Sequence, residues 1–222
     1  FSCWFPPFCA RKCDYCDFCS IVPNSNSVVE HYTDALILQM EDYSARLRPY
    51  LIDTVYIGGG TLTLRAGDDA IHANSAVQID GGTLTLRCTG DALHTDSDLI
   101  INGGSITALT QDDGLHADGI LAVYGGTVAV TESYEGFEAE SIHIAGGIIS
   151  LTSGDDGINA AGGNDQSGFG GPGGDRFHGS DGSCILISGG ELYVNAAGDG
   201  MDSNGDLCIT GGCLTVEGPT DD

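Results

Sequence analysis

A Gly-Gly pair recurs along this chain, beginning at residues 59, 81, 103, 125, 146, 189 and 211. The steps are 22 residues, except one of 21 and one of 43. A period in that range marks stacked units, none of which can bury a core until a neighbour covers it. The step of 43 is one unit plus an insertion at residues 161–182, AGGNDQSGFGGPGGDRFHGSDG, whose glycine content predicts a flexible loop.

What each unit folds into follows from its apolar places, counted from the first glycine as zero. Places 3 and 5 hold Leu62/Leu64, Leu84/Leu86, Ile106/Ala108, Val128/Val130, Ile149/Leu151, Leu192/Val194 and Leu214/Val216. Place 12 holds Ile71, Leu93, Leu115, Phe137, Ile158 and Met201. A further alternating pair, such as Val77/Ile79, Leu99/Ile101 or Leu207/Ile209, precedes the next glycines. Alternation at period two is a strand with one buried face, so each unit carries three short strands aimed at a common axis. The expected fold of 59–222 is mostly β: a parallel β-helix of about seven 22-residue rungs, of either hand. The glycine pairs are its corners, where the backbone needs positive φ and stacked turns leave little room for Cβ atoms.

Three polar columns flank place 12. Place 10 reads Asp69, Asp91, Asp113, Glu135, Asp156 and Asp199; place 13 reads His72, His94, His116, Glu138, Asn159 and Asp202; place 15 reads Asn74, Asp96, Asp118, Glu140, Ala161 and Asn204. Residues 65–222 hold 25 acidic side chains against Arg65, Arg87 and Arg176. Stacked rungs set like charges about 5 Å apart, which costs roughly 0.8 kcal/mol per pair in water and more at lower dielectric. A bound cation answers that repulsion. The oxygen-rich set of Asp69, Asp91, Asp96, Asp113, Asp118, Glu135, Glu138, Glu140, Asp156, Asp199 and Asp202 suits Ca²⁺. The alternative is a solvated acidic face. The three histidines allow a transition-metal site or a ladder of satisfied polar side chains. A net charge of −25 disfavours nucleic acid and anionic membrane, and no apolar run of 18 residues exists to span one.

The first 64 residues differ in kind, with five cysteines and only three glycines. Cys9, Cys13 and Cys16 are spaced C-x3-C-x2-C, a set that can hold three irons of a [4Fe–4S] cluster or form a zinc knuckle. A capping box at Ser27 and Glu30 opens a predicted helix over 28–47, which Pro49 ends; a strand is predicted over 52–57 before Gly58-Gly59-Gly60. No charged and apolar leader is visible at the start. Of the later cysteines, Cys208 and Cys213 flank a glycine corner and are expected to be free, buried thiols.

Two resemblances follow from these residues. PFCARKCDYCDF, a helix, then DTVYIGGGT over residues 1–61 resembles the opening of the radical S-adenosylmethionine family. The branch is that of oxygen-independent coproporphyrinogen III oxidase and its heme-chaperone relatives. The resemblance implies a short α/β fragment of that family's barrel. It assigns Cys9, Cys13 and Cys16 to the [4Fe–4S] cluster and Tyr15 to the adenine of S-adenosylmethionine. Gly58, Gly59, Gly60 and Thr61 fall at the methionine end. The family continues with Pro after Thr, where this chain has Leu62, and the rest of the barrel is missing, so the chain as built is not expected to be an enzyme. Residues 59–222, with DDGI and GDGM turns and the loop GGNDQSGFGGPGG, resemble the calcium-binding, carbohydrate-binding β-helix family of clostridial secreted proteins. That resemblance implies a polysaccharide partner, uronate-containing among the options, and an extracellular or cell-surface place; the N-terminal motif implies the cytoplasm. A β-helix lyase or hydrolase is the remaining alternative: Arg65 and Arg87 share a column, but the helix has no lysine.

Overall fold

A computed structural model describes residues 53–160 and 182–218. Among them every regular element is a strand, and all the pairings are parallel. Seven strands form one sheet: Thr61–Arg65, Thr83–Arg87, Ser105–Leu109, Thr127–Val130, Ile148–Ser153, Glu191–Ala196 and Cys213–Glu217. The remaining eleven form the second sheet, which carries the other two strands of each rung. The described residues are thus a parallel β-helix.

The column at place 3 is in register from end to end. Leu62 pairs with Leu84, Leu84 with Ile106, and Ile106 with Val128. Val128 then pairs with Ile149, Ile149 with Leu192, and Leu192 with Leu214. At place 12, Leu93, Leu115, Phe137 and Ile158 follow one another in the same way. Each of these middle-rung side chains is buried, and full burial of an aliphatic side chain contributes about 1.5–3 kcal/mol. Ala108 and Ala139 sit in the same core without breaking the register.

The corners explain why both glycines of a pair are needed. Gly104 has φ of 92°, which an L side chain rarely adopts. A Cβ on its neighbour Gly103 would lie 2.9 Å from the Asp80 carbonyl oxygen of the preceding rung. The 21-residue step has a local cause as well. The pairing shifts between Ala139 and Ser141, so Asp118-Gly119 of one rung face the single Glu140 of the next.

The expected strand over 52–57 is found as Thr54–Ile57. It pairs with Ala76–Ile79, and Gly60, with φ of 87°, turns the first corner of the stack. The expected helix over 28–47 and the cysteine motif lie outside the described residues, as do residues 161–181 of the loop. The strands flanking that loop keep register, Ser141 with Cys184 and Cys184 with Asp206. One expectation is corrected: Cys208 and Cys213 are free but exposed. Cys208 lies between Leu207 and Ile209 on Asp206–Ile209 and Cys213 on Cys213–Glu217, strands with no described neighbour beyond them, and Leu207 and Ile209 are exposed there too.

Candidate functional site

The polar columns are built by the same register. At place 13, His72 pairs with His94, His94 with His116, His116 with Glu138, Glu138 with Asn159 and Asn159 with Asp202. At place 10 the backbone does the stacking. The N–H groups of Ala70, Ala92, Gly114, Gly136 and Gly157 donate to the carbonyls of Asp91, Asp113, Glu135, Asp156 and Asp199, one rung on.

Side chains add a second ladder to this one. Asp69 Oδ1 accepts the backbone N–H of Asp91 at 2.8 Å, Asp91 Oδ1 that of Asp113 at 3.0 Å, and Asp113 Oδ1 that of Glu135 at 3.1 Å. Asp156 Oδ1 takes the N–H of Asp199 at 2.6 Å. The repulsion expected along this column is therefore offset first by backbone amides, each acting as a partial positive charge between rungs. Sequence reasoning missed that partner, because a column of like charges says nothing about where the next rung's N–H points.

The other carboxylate oxygen meets imidazole. Asp69 Oδ2 lies 3.0 Å from His72 Nδ1, and Asp91 Oδ2 lies 2.7 Å from His94 Nδ1. Asp113 Oδ2 lies 3.4 Å from His116 Nδ1, and Glu138 Oε2 closes the series 2.8 Å from the same nitrogen. The D-x-x-H spacing was the available signal, since three residues along each rung bring the pair together. The three rings stack with centroids 4.4 and 4.6 Å apart and planes within 9°. Their outer Nε2 atoms face place 15: Asp96 Oδ1 at 3.3 Å from His72 and 3.5 Å from His94, and Asp118 Oδ1 at 3.3 Å from His116. Asn74 donates to Asp96 Oδ2 at 2.9 Å.

This arrangement holds protons. Burial opposes charge on His116, but the hydrogen bonds to Asp113 and Glu138 and the charges of Glu138 and Asp91 push its pKa up to about 12. Burial likewise opposes charge on His94, and the Asp91 hydrogen bond with the charges of Asp91 and Asp69 raises it all the same. Asp113 is pushed well above the usual carboxylate range by burial and by Glu138, against the pull of His116. Three buried carboxylates around one imidazole make a surplus of negative charge, which raises the pKa of both groups.

In the later rungs the columns offer oxygen instead. Glu135, Glu138, Asp156 and Asn159 are buried, and Asn159 Nδ2 donates to Glu135 Oε1 at 3.1 Å. Asp199 and Glu140 are exposed and Asp202 is partly so. The expected calcium set therefore falls into two groups, with Asp69, Asp91, Asp96, Asp113, Asp118 and Glu138 beside imidazole and the rest among oxygens. Gly58, Gly59, Gly60 and Thr61 lie at the first corner, while Cys9, Cys13, Cys16 and Tyr15 lie outside the described residues. Arg65 and Arg87 pair in register on the seven-stranded sheet, whereas the place-13 column belongs to the other sheet.

The model of the family described as carbohydrate-binding domain-containing protein matches residues 21–136 and 134–221. The heme chaperone HemW of Buchnera aphidicola subsp. Schizaphis graminum is 38% identical over 58 residues, which are 26% of this chain and 15% of that protein. HemW of Mycobacterium tuberculosis is 38% identical over 64 residues, 28% of this chain and 16% of its own length. The chain thus spans 15–16% of the length of these curated relatives. No solved structure matches it.

Proposed function

The chain belongs to the family of carbohydrate-binding domain-containing proteins, and from that premise we propose that its β-helix is a polysaccharide-binding module that carries calcium in its acidic columns. The observation that supports this reading is the run of oxygen donors over the later rungs. Glu135, Glu140, Asp156, Asn159, Asp199 and Asp202 follow one another in columns whose rungs lie about 4.8 Å apart. Ca²⁺ takes six to eight oxygens and tolerates irregular geometry, so this donor set fits it. Ions held there would stiffen the stack and present positive charge to a uronate carboxylate. A polymer lying along the solenoid axis would meet the same columns rung after rung, which favours an extended glycan over a single sugar. Such a module belongs outside the cell, at its surface.

The test is retention on insoluble polygalacturonate and on cellulose, with Ca²⁺ and then with chelator. Retention on polygalacturonate that chelator abolishes is the expected result. Retention unchanged by chelator would confine the ions to stiffening, and no retention on either polymer would overturn the reading.

A second reading attaches to the N-terminal residues, favoured by the HemW similarity. Cys9, Cys13 and Cys16 would ligate a [4Fe–4S] cluster and S-adenosylmethionine would complete its coordination. Anaerobic reconstitution with iron and sulfide should then give a cluster absorbance that Cys13→Ser removes, and equal absorbance in that variant would sink it.

A further inference from the structure

We propose that Asp91, Asp113, His116 and Glu138 form a binding site for one borderline divalent transition ion, of which Zn²⁺ is the type, separate from any calcium in the later rungs. The four side chains come from three successive rungs and meet at one nitrogen. His116 Nδ1 lies 2.8 Å from Glu138 Oε2, 3.4 Å from Asp113 Oδ2 and 3.6 Å from Asp91 Oδ2. The ligand atoms of Asp113, His116 and Glu138 all lie within 4.8 Å of one another. Ligands bound at about 2.0–2.2 Å in a tetrahedron sit roughly 3.3–3.5 Å apart, so these separations are close to the edges of such a polyhedron.

The site is buried and its ligands are already aimed. Side-chain exposure is 4% at Glu138, 7% at Asp113, 8% at Asp91 and 13% at His116. The Oδ1 atoms of Asp91 and Asp113 are engaged by backbone N–H groups of the following rungs, which turns Asp113 Oδ2 toward His116 and sets Asp91 Oδ2 between His94 Nδ1, at 2.7 Å, and His116 Nδ1, at 3.6 Å. On its far edge His116 Nε2 faces Asp118 Oδ1 at 3.3 Å. A carboxylate there fixes the proton on Nε2 and leaves the Nδ1 lone pair for a metal, the arrangement that orients most metal-bound histidines. Stacking on His94, at 4.6 Å and 8°, holds the ring plane.

Chemistry selects the ion. One imidazole nitrogen with three carboxylate oxygens suits zinc, cobalt or nickel better than Ca²⁺ or Mg²⁺, which take oxygen. The ion would take the Nδ1 lone pair and the carboxylate oxygens that now face it. The result would tie together the rungs that carry Asp91, His116 and Glu138.

Thiolates are zinc ligands in general, so the test uses the full chain with its thiols alkylated. Native mass spectrometry and calorimetry with Zn²⁺ should show one ion per chain that a large excess of Ca²⁺ does not displace. Imidazole ¹⁵N spectra should place that ion on Nδ1 of His116, with Nε2 still protonated. His116→Gln should abolish uptake. Asp118→Asn, which keeps every ligand, should weaken it by about 10–100-fold. No zinc uptake by the alkylated wild-type chain would overturn the proposal, as would undiminished uptake in a folded His116→Gln variant or displacement by Ca²⁺ at equal concentration. Glycan retention is scored separately, so failure here leaves the polysaccharide reading standing, and the reverse.

Discussion

The rungs that begin at Gly59, Gly81 and Gly103 and those that begin at Gly125, Gly146 and Gly189 share their corners and apolar columns and differ in chemistry at place 13. Both sets turn on a second glycine of positive φ and stack the same apolar places. At place 13 the first set carries His72, His94 and His116, and the second carries Glu138, Asn159 and Asp202, yet the pairing runs through without a break. The difference teaches that corners and apolar columns set the register, while place 13 is free to choose its chemistry. The imidazole rungs hold titratable protons between two rows of carboxylates. The oxygen rungs hold amide and carboxylate groups, as at Asn159 and Glu135.

The strongest way to break the comparison is to cut the core where the columns change. Phe137 is fully buried between Leu115 and Ile158, one residue before Glu138. Phe137→Ala should cost about 3–5 kcal/mol, the range for an emptied aromatic core site. If the two sets of rungs fold as one unit, urea unfolding followed by far-ultraviolet circular dichroism will remain a single transition at lower denaturant. Two resolved transitions would show that the sets are energetically separate, as nearest-neighbour stacking permits.

A comparable loss should follow from removing the imidazolium alone. His116→Gln leaves Asp91, Asp113 and Glu138 buried together without their cation, and breaking a buried pair from one side costs about 3–5 kcal/mol. Asn159→Ala, in the oxygen rungs, should cost about 1–2 kcal/mol, because it removes a neutral donor from Glu135. Chemical denaturation of both variants in chelator at pH 7 measures the gap, and equal losses would erase the distinction between the two sets.

The scaffold was legible because its signals are local and repeated. The glycine period and the two-residue alternation at Leu62 through Leu214 dictate corners and strands without knowledge of any distant partner. The carboxylate ladder was not legible to the same degree. Its register could be read, but the partner of Asp69 is a backbone N–H of the next rung, and only the rung-to-rung stagger sets that meeting. The pairing of His94 with Asp91 was hinted by spacing, whereas the contact of His116 with Glu138 depends on the column changing residue type. Burial of the end cysteines was misjudged because alternation does not say which rung has a neighbour to cover it: on the last strand of its sheet even the apolar pair Leu207 and Ile209 beside Cys208 is exposed.

Alkaline pH should separate the two sets next. A histidine whose folded pKa is raised contributes stability that is fully present below its unfolded value. That contribution is lost as pH rises through the folded value. For His116 the window runs from near 6.5 to about 12. Asp113, raised above 3.8, works in the same sense at the lower end, favouring the folded state while it keeps its proton. Stability of the metal-free protein should therefore fall between pH 7 and pH 10, and His116→Gln should flatten that slope. A slope unchanged by the substitution would place the proton elsewhere.

The smallest effect separates the inner from the outer carboxylates of the imidazole rungs. Asp91 and Asp96 both approach His94, at 2.7 Å and 3.5 Å, but side-chain exposure is 8% at the first and 41% at the second. Water screens the outer charge and solvates it when the imidazole is removed, so an exposed pair contributes about 0.2–1 kcal/mol. Asp96→Asn should cost no more than that, even though Asp96 also faces His72 and accepts from Asn74. Asp91→Asn should cost more, because the same change leaves His94 without its closest counter-charge and disturbs the acceptor of the Asp113 N–H. A double-mutant cycle of each aspartate with His94→Gln isolates the two couplings. If Asp96 couples to His94 as strongly as Asp91 does, the outer row shares the burden of holding the imidazole charge, and the division between a buried, proton-holding column and a solvated rim has to be redrawn.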